Sequence, residues 1–186
     1  MRVISGKQKG LHIKAVPGQS TRPTTDKVKE SIFNIVGPYF DGGTMLDLYG
    51  GSGSISIEAL SRGMNKAIIV DRDRKAIETI YTNLKNCKLE GRAEVFRTES
   101  IRALKALQKK QSQFHFIFLD PPYQKHRLHD ELAFIAEHNI LAVDGMIVVE
   151  HASSVALNDT YGGLRKIREE QYGDTTITIY THELEE

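Results

Sequence analysis

The chain predicts an α/β domain built on a mostly parallel sheet. From Thr44 onward, short apolar runs alternate with stretches of helical period, the signature of successive strand-helix-strand units. A glycine-rich turn, "YGGSG" (49–53), joins an apolar run to a helical one. A run that is apolar at Phe114, Phe116, Ile117, Phe118 and Leu119, "FHFIFL" (114–119), ends abruptly in "DPPY". Parallel strands covered on both faces read as such near-continuous apolar runs rather than as alternations.

The first 40 residues form a unit of their own. "RVISGKQKGLHIKAV" has turn points at Gly6 and Gly10 between short β-like runs, which predicts a small hairpin. Thr24 or Thr25 then caps a helix with Val28, Ile32, Ile35 and Val36 on one side, and Asp26 in its first turn suits the helix dipole. The second unit, 41–186, carries strands at 44–48, 67–70, 93–97, 114–119 and 145–150, with helices near 54–62, 74–86, 100–110 and 128–138. In the second of these helices Ile77, Ile80, Tyr81 and Leu84 recur at helical spacing and should face the sheet. The tail, "LRKIREEQYGDTTITIYTHE", reads as two strands joined at Gly173-Asp174, so the sheet should end in an antiparallel pair.

Composition narrows the class. With 40% hydrophobic and 26% charged residues the chain is globular rather than disordered. One cysteine, Cys87, leaves no disulfide and no cysteine cluster for zinc or iron–sulfur. His126 and His129 lie three apart with no third clear ligand, so surface or RNA contacts are expected of them and no metal site. No stretch has the length of a signal-peptide core or a membrane span, and a cytoplasmic location is expected. The net charge is only +1, but residues 1–30 hold seven basic residues against Asp26 and Glu30, a net of +5, leaving −4 for the rest. Lys7, Lys9 and Lys14 in this arm read either as phosphate contacts with a nucleic acid or as a solvated terminal segment.

Three stretches carry chemistry. In "LDLYGGSGSISIEAL" (46–60), Gly50, Gly51 and Gly53 allow a tight turn and close approach of a ligand to the backbone. Read as the dinucleotide fingerprint from Gly51, the third glycine position is Ser56, and Asp47 puts a negative charge where a pyrophosphate gains nothing. An acid there suits a cationic ligand with donors to satisfy, such as the amino acid portion of S-adenosylmethionine. Tyr49, in the same loop, is counted with this cofactor site. In "AIIVDRD" (67–73), Asp71 stands at the tip of the second strand, 18 residues after Gly53, placed to accept from ribose hydroxyls; Arg72 follows it, and Asp73 can cap the next helix. Past the third strand, Glu99 or Ser100 lies near where an adenine would sit, or caps a helix.

Asp120 completes the set. Pro121 and Pro122 lack N–H groups and hold φ fixed, so they end the strand and leave Asp120 on a rigid frame at its carboxyl end. The Asp120 carboxylate and the Pro121 carbonyl are two acceptors for the hydrogens of an exocyclic amine. Holding those hydrogens favours a pyramidal nitrogen whose lone pair points at a methyl donor, a catalysis of positioning and electrostatics. Tyr123 offers a ring face on which an unstacked base can lie. Lys125 and Arg127 could reach phosphates, while Glu150 and His151, ending the fifth strand, face the same edge of the sheet; their role is open, with a structural one favoured.

"DLYGGSG", the acidic tip of the second strand and "DPPY" together resemble the class I S-adenosylmethionine-dependent amino-methyltransferases, whose fold is Rossmann-like. "RVISGKQKGLHIKAV" followed by "RPTTDKVKESIFNIV" resembles, more narrowly, the bacterial RsmD family, which methylates the exocyclic N2 of a guanine in 16S ribosomal RNA. The resemblance implies a seven-stranded sheet of order 3-2-1-4-5-7-6 with the last strand antiparallel. It implies Asp47, Gly50 and Gly53 around the methionine portion, Asp71 on the ribose, and Asp120 through Tyr123 at the target amine. It also implies that Arg22, Pro23 and Thr24 lie near the active site in a segment that engages RNA, and that the substrate is presented within small-subunit particles; a monomer is expected, though the sequence itself does not reveal the oligomeric state. Class I enzymes often carry Asp or Asn where this chain has Glu99, so the adenine contact stays open.

Three other readings are weaker. A DNA-adenine methyltransferase usually carries a sizeable target-recognition region, for which 186 residues leave little room. A non-catalytic RNA-binding assembly factor has no need of both a donor loop and a catalytic turn. An NAD-dependent oxidoreductase is disfavoured by Ser56 and by the lack of a hydride-relay candidate.

Overall fold

The computed structural model describes residues 1–18, 24–123 and 126–184. Its first segment is the expected hairpin, closed by the Arg2–His12 bridge and by hydrogen bonds from Gly10 N to Val3 O and from Ile13 N to Met1 O. Helix α1 (Asp26–Val36) follows, capped by the Thr25 hydroxyl, which accepts from Val28 N. The βα units are β1 (Thr44–Asp47), α2 (Ser54–Ser61), β2 (Lys66–Asp71), α3 (Arg74–Asn86), β3 (Ala93–Arg97), α4 (Ser100–Lys109), β4 (Phe114–Leu119), α5 (Leu128–Glu137) and β5 (Leu141–Ala152). Strands β6 (Thr160–Tyr161), β7 (Leu164–Tyr172) and β8 (Thr175–His182) finish the chain.

These strands make one sheet of order β3-β2-β1-β4-β5-β8-β7-β6. The first five run parallel, and β8 pairs antiparallel with β5 and with β7. The count is eight rather than the expected seven. Gly162, at φ +55°, folds Thr160–Tyr161 back against Leu164 and Arg165 as a two-residue edge strand too short to read as a run. Tyr172 pairs with Thr175, so the Gly173-Asp174 hairpin forms as expected. Strand β5 starts at Leu141 rather than at Gly145. Asp144-Gly145 reads as a turn, but the register moves from Phe114↔Leu141 to Phe116↔Met146, so the intervening residues bulge out and the strand continues.

The two faces of the sheet bury separate cores, which explains the near-continuous apolar run of β4. Phe116 and Phe118 pack with α1, α2, α3 and the hairpin residues Val3 and Ile13, whereas Ile117 and Leu119 pack with α4 and α5. On α3, Ile80 and Leu84 are buried as expected, but Tyr81 is 54% exposed, because it lies at the edge of the apolar stripe beside edge strand β3.

The hairpin and α1 are held to α2 by a buried ionic cluster. Lys29 Nζ lies 3.4 Å from Glu58 Oε1, Arg62 Nε donates to Glu58 Oε2 at 2.8 Å, and the Ile4 and Ser5 N–H groups donate to the same carboxylate. Lys29 is therefore no part of the exposed basic arm. Lys7, Lys9 and Lys14 are exposed.

Candidate active site

Strand order reverses between β1 and β4, because β1 lies between β2 on one side and β4 on the other. Open α/β sheets hold ligands in the crevice at the carboxyl ends of the strands at this switch point. The glycine turn after β1, Asp71 at the end of β2, Asp120 after β4 and Glu150 near the end of β5 all lie at that edge.

The glycine turn is set by packing as much as by φ. A Cβ on Gly50 would stand 2.5 Å from Ile69 Cγ2, so only glycine lets the turn lie against β2. Gly51 and Gly53 adopt φ +57° and +82°, which side chains resist. Gly51 N donates to Asp71 Oδ2 at 2.9 Å and Asp73 N to Asp71 Oδ1 at 2.9 Å. Arg72 N–H adds a third backbone donor, so the Asp71 carboxylate is fixed in place at the end of β2. The Asp73 side chain caps α3 by accepting from Lys75 N.

Asp47 is buried and accepts from Ser56 Oγ at 3.0 Å, so the serine that breaks the dinucleotide pattern holds the acid in place. Burial raises the Asp47 carboxyl to about 7, against the hydrogen bonds from Ser56 and Tyr49 N. Burial likewise raises Asp71.

Asp120 has the most perturbed surroundings. Its carboxyl is raised well above the ordinary range, first by desolvation and then by the charges of Glu150 and Asp47. Among the described residues no group donates a hydrogen bond to it. Pro121 is buried, whereas Pro122 and Tyr123 are exposed. The Tyr123 hydroxyl pairs with Thr175 Oγ1 at the start of β8, which tethers the ring at the mouth of the crevice.

Other expected positions are distributed around this centre. Tyr49 does not point its hydroxyl at a free pocket. It donates to the buried Glu131 of α5 at 2.9 Å and pairs with Ser100 Oγ at 3.1 Å. Burial raises Glu131 to about 7. Glu99 precedes α4 without capping it and lines a cavity of about 460 Å³ with Arg72, Arg97, Thr98 and Arg102, just past Asp71. Thr24 reaches the site by donating from Oγ1 to Glu150 Oε2 at 2.8 Å. Arg127 is exposed, 3.5 Å from Asp130, and the ring of His129 pairs with the Tyr161 hydroxyl. His151 turns into the sheet, where Nε2 bonds Thr178 Oγ1. Arg22, Pro23 and Lys125 lie outside the described residues.

The sequence reading missed Glu131 as a partner of Tyr49, Ser56 as a partner of Asp47, and the Thr24–Glu150 pair. Glu131 had a signal: it sits among Leu128, Leu132 and Ile135 on the buried stripe of α5, where a carboxylate needs a partner.

The edge of the sheet therefore offers, in sequence, an acidic pocket behind a glycine turn, a carboxylate fixed by backbone donors, an open cavity, and a carboxylate on a rigid turn with no donor among the described residues. Such a set can hold a cationic, hydroxyl-bearing ligand beside an amine. A family model described as "Conserved hypothetical protein 95" matches residues 1–181. The chain is 55% identical over 180 residues to a Bacillus subtilis protein named "Putative rRNA methyltransferase YlbH", covering 97% of this chain and 98% of that one. It is 34% identical over 151 residues to "Ribosomal RNA small subunit methyltransferase D" of Haemophilus influenzae, covering 81% and 78%. Among solved structures, a conserved hypothetical protein of Streptococcus pyogenes superposes with a TM-score of 0.79 at 38% identity, covering 84% of this chain and 96% of that one.

Proposed function

The chain belongs to the family described as conserved hypothetical protein 95, the RsmD family, and on that premise we propose that it transfers a methyl group from S-adenosylmethionine to the exocyclic N2 of a guanine in small-subunit ribosomal RNA. The observation that carries the proposal is the meeting of Asp47, Asp120 and Glu150 at the ends of three adjacent strands beside the glycine turn. The names of the relatives support the ribosomal RNA substrate. In this reading residues 1–40 are a basic extension that engages RNA and residues 41–186 are the methyltransferase domain, acting as a monomer on small-subunit particles.

The residues fit the methyl donor. Asp47 is a buried acceptor for its ammonium, Gly50, Gly51 and Gly53 let the backbone approach, and Asp71, fixed by backbone donors at the end of β2, is the acceptor for the ribose. The cavity lined by Arg72, Thr98 and Glu99 has room for the adenine. When bound, S-adenosylmethionine supplies an electrophilic methyl on a cationic sulfur.

The protein's own contribution is to prepare the amine. Asp120 and the Pro121 carbonyl accept the two amine hydrogens, which directs the nitrogen lone pair along the line of transfer. Tyr123, tethered through Thr175, stacks on the base taken out of the RNA. As the nitrogen gains its new bond it sheds a proton, and Asp120 takes it, made basic by burial and by its two carboxylate neighbours.

The division of labour is tested by two substitutions. Asp120→Ala should lower methyl transfer at least ~100-fold with donor affinity nearly unchanged. Asp71→Ala should weaken donor binding ~10-fold or more, measured by calorimetry. Equal loss of donor affinity in both variants contradicts the assignment.

A further inference from the structure

We infer that Glu150 makes this site choose guanine, by accepting the N1–H of the target base while Asp120 and the Pro121 carbonyl hold its N2 amine. The inference rests on the function proposed above and gives its substrate choice a chemical cause.

The geometry begins with the sheet. Strands β4 and β5 are parallel neighbours, and Leu119 is aligned with Val149, so Asp120, the first residue past β4, stands at the level of Glu150, which is still paired within β5. Glu150 is 8% exposed. Thr24 donates to its Oε2, and among the described residues nothing else donates to the carboxylate. A carboxylate this buried is costly without further donors. Its neighbour Asp120 has none among the described residues. Two adjacent strands thus present a row of acceptors in need of hydrogen: Glu150, Asp120 and the Pro121 carbonyl.

The bases that carry an exocyclic amine differ in what stands next to it. On guanine the N2 amine adjoins N1–H, so the edge presents consecutive donors. On adenine and cytosine the amine adjoins a bare ring nitrogen, an acceptor. Set against an ionised Glu150, that nitrogen would leave two acceptors face to face. Sites built to hydrogen-bond one group reject the analogue lacking it by far more than apolar pockets do. Thr24, immediately before the cap of α1, fixes the Glu150 side chain, so the N-terminal segment takes part in substrate choice.

The test compares guanine with 2-aminopurine, which keeps the 2-amine but has a bare N1. Small subunits are rebuilt with RNA carrying either base at the nucleotide that the wild-type protein labels, and kcat/KM is measured for wild type and Glu150→Gln. Glutamine preserves the bond to Thr24 and can turn its amide N–H toward a bare nitrogen. The wild type should prefer guanine by ~100-fold or more, and Glu150→Gln should cut that preference to ~10-fold or less. Donor affinity and melting temperature should stay as in the wild type. Absence of O6 from 2-aminopurine affects both proteins alike and cancels in the comparison. Thr24→Val, which frees the Glu150 side chain, should lower the guanine rate more than the 2-aminopurine rate and serves if the glutamine variant does not fold. An unchanged preference in both variants overturns the role of Glu150, while guanine labelling by the wild type leaves the proposed function standing. Labelling of adenine or cytosine by the wild type overturns both.

Discussion

Asp47 is where the chemistry of single residues has a measurable consequence. Burial lifts its carboxyl to about 7, so near neutral pH the folded protein holds a proton there that the unfolded chain releases. The sign follows from linkage: this contribution to stability is full at low pH and is lost as pH rises through about 7. A melting-temperature drop between pH 6 and pH 8 should therefore be smaller in Asp47→Asn than in the wild type. Donor binding runs the other way, because the cationic ammonium prefers the ionised acid. Affinity for S-adenosylmethionine should improve by about fivefold from pH 6 to pH 7 and by about tenfold in all by pH 8, where it levels off, and Asp47→Asn should be weak and flat across the range. Calorimetry at several pH values reads this directly. The principal site residues were legible because their neighbours are conformational specialists: glycines that open a turn after Asp47, and prolines that stop a strand after Asp120. Glu150 was not, since an acid at a strand end looks the same whether it faces a base or water.

Among the elements, the N-terminal hairpin and α1 depend on one carboxylate. Glu58 neutralises Lys29 and Arg62 and accepts the backbone donors of Ile4 and Ser5, all in a buried setting. Glu58→Ala would leave two cations and two N–H groups without it, at a cost of about 3–5 kcal/mol. Chemical denaturation should show that loss, and hydrogen exchange should speed at Ile4 and Ser5 before it does in β4. Equal protection of those amides in the variant would mean that the hairpin is held without Glu58, by Val3 and Ile13 packing and by its hydrogen bonds to Ser61 and Asn83. Periodicity found each α-helix after β1 among the described residues to within a residue or two, but missed the 3-10 turn Glu90–Arg92 and could not find this cluster. It treats a charge as solvent-facing, whereas Lys29 sits beside Ile32 and Phe33 on the buried stripe of α1, and every residue of α2 is buried. The same limit applies to β5, whose bulge at Asp144-Gly145 imitates a turn, and to β6, which is two residues long.

Over the whole molecule, strand order at the switch point was implied by family resemblance, while the antiparallel tail could be read from the Gly173-Asp174 hairpin itself. Charge distribution is the other property of that scale. With Lys29 buried, the outward charge of the N-terminal unit rests on residues such as Lys7, Lys9 and Lys14, all exposed. Replacing those three lysines with glutamine should weaken RNA binding and reduce the slope of log affinity against log salt by roughly 2–3. An unchanged slope would take the arm out of the RNA interface. No helix among the described residues is long and apolar enough to cross a membrane. The central claim is best tested by incubating the protein with tritiated S-adenosylmethionine and small ribosomal subunits that lack the modification, then digesting the RNA to nucleosides. The account predicts label in N2-methylguanosine; label in a methylated adenosine or cytidine, or none in RNA despite measured donor binding, would contradict it.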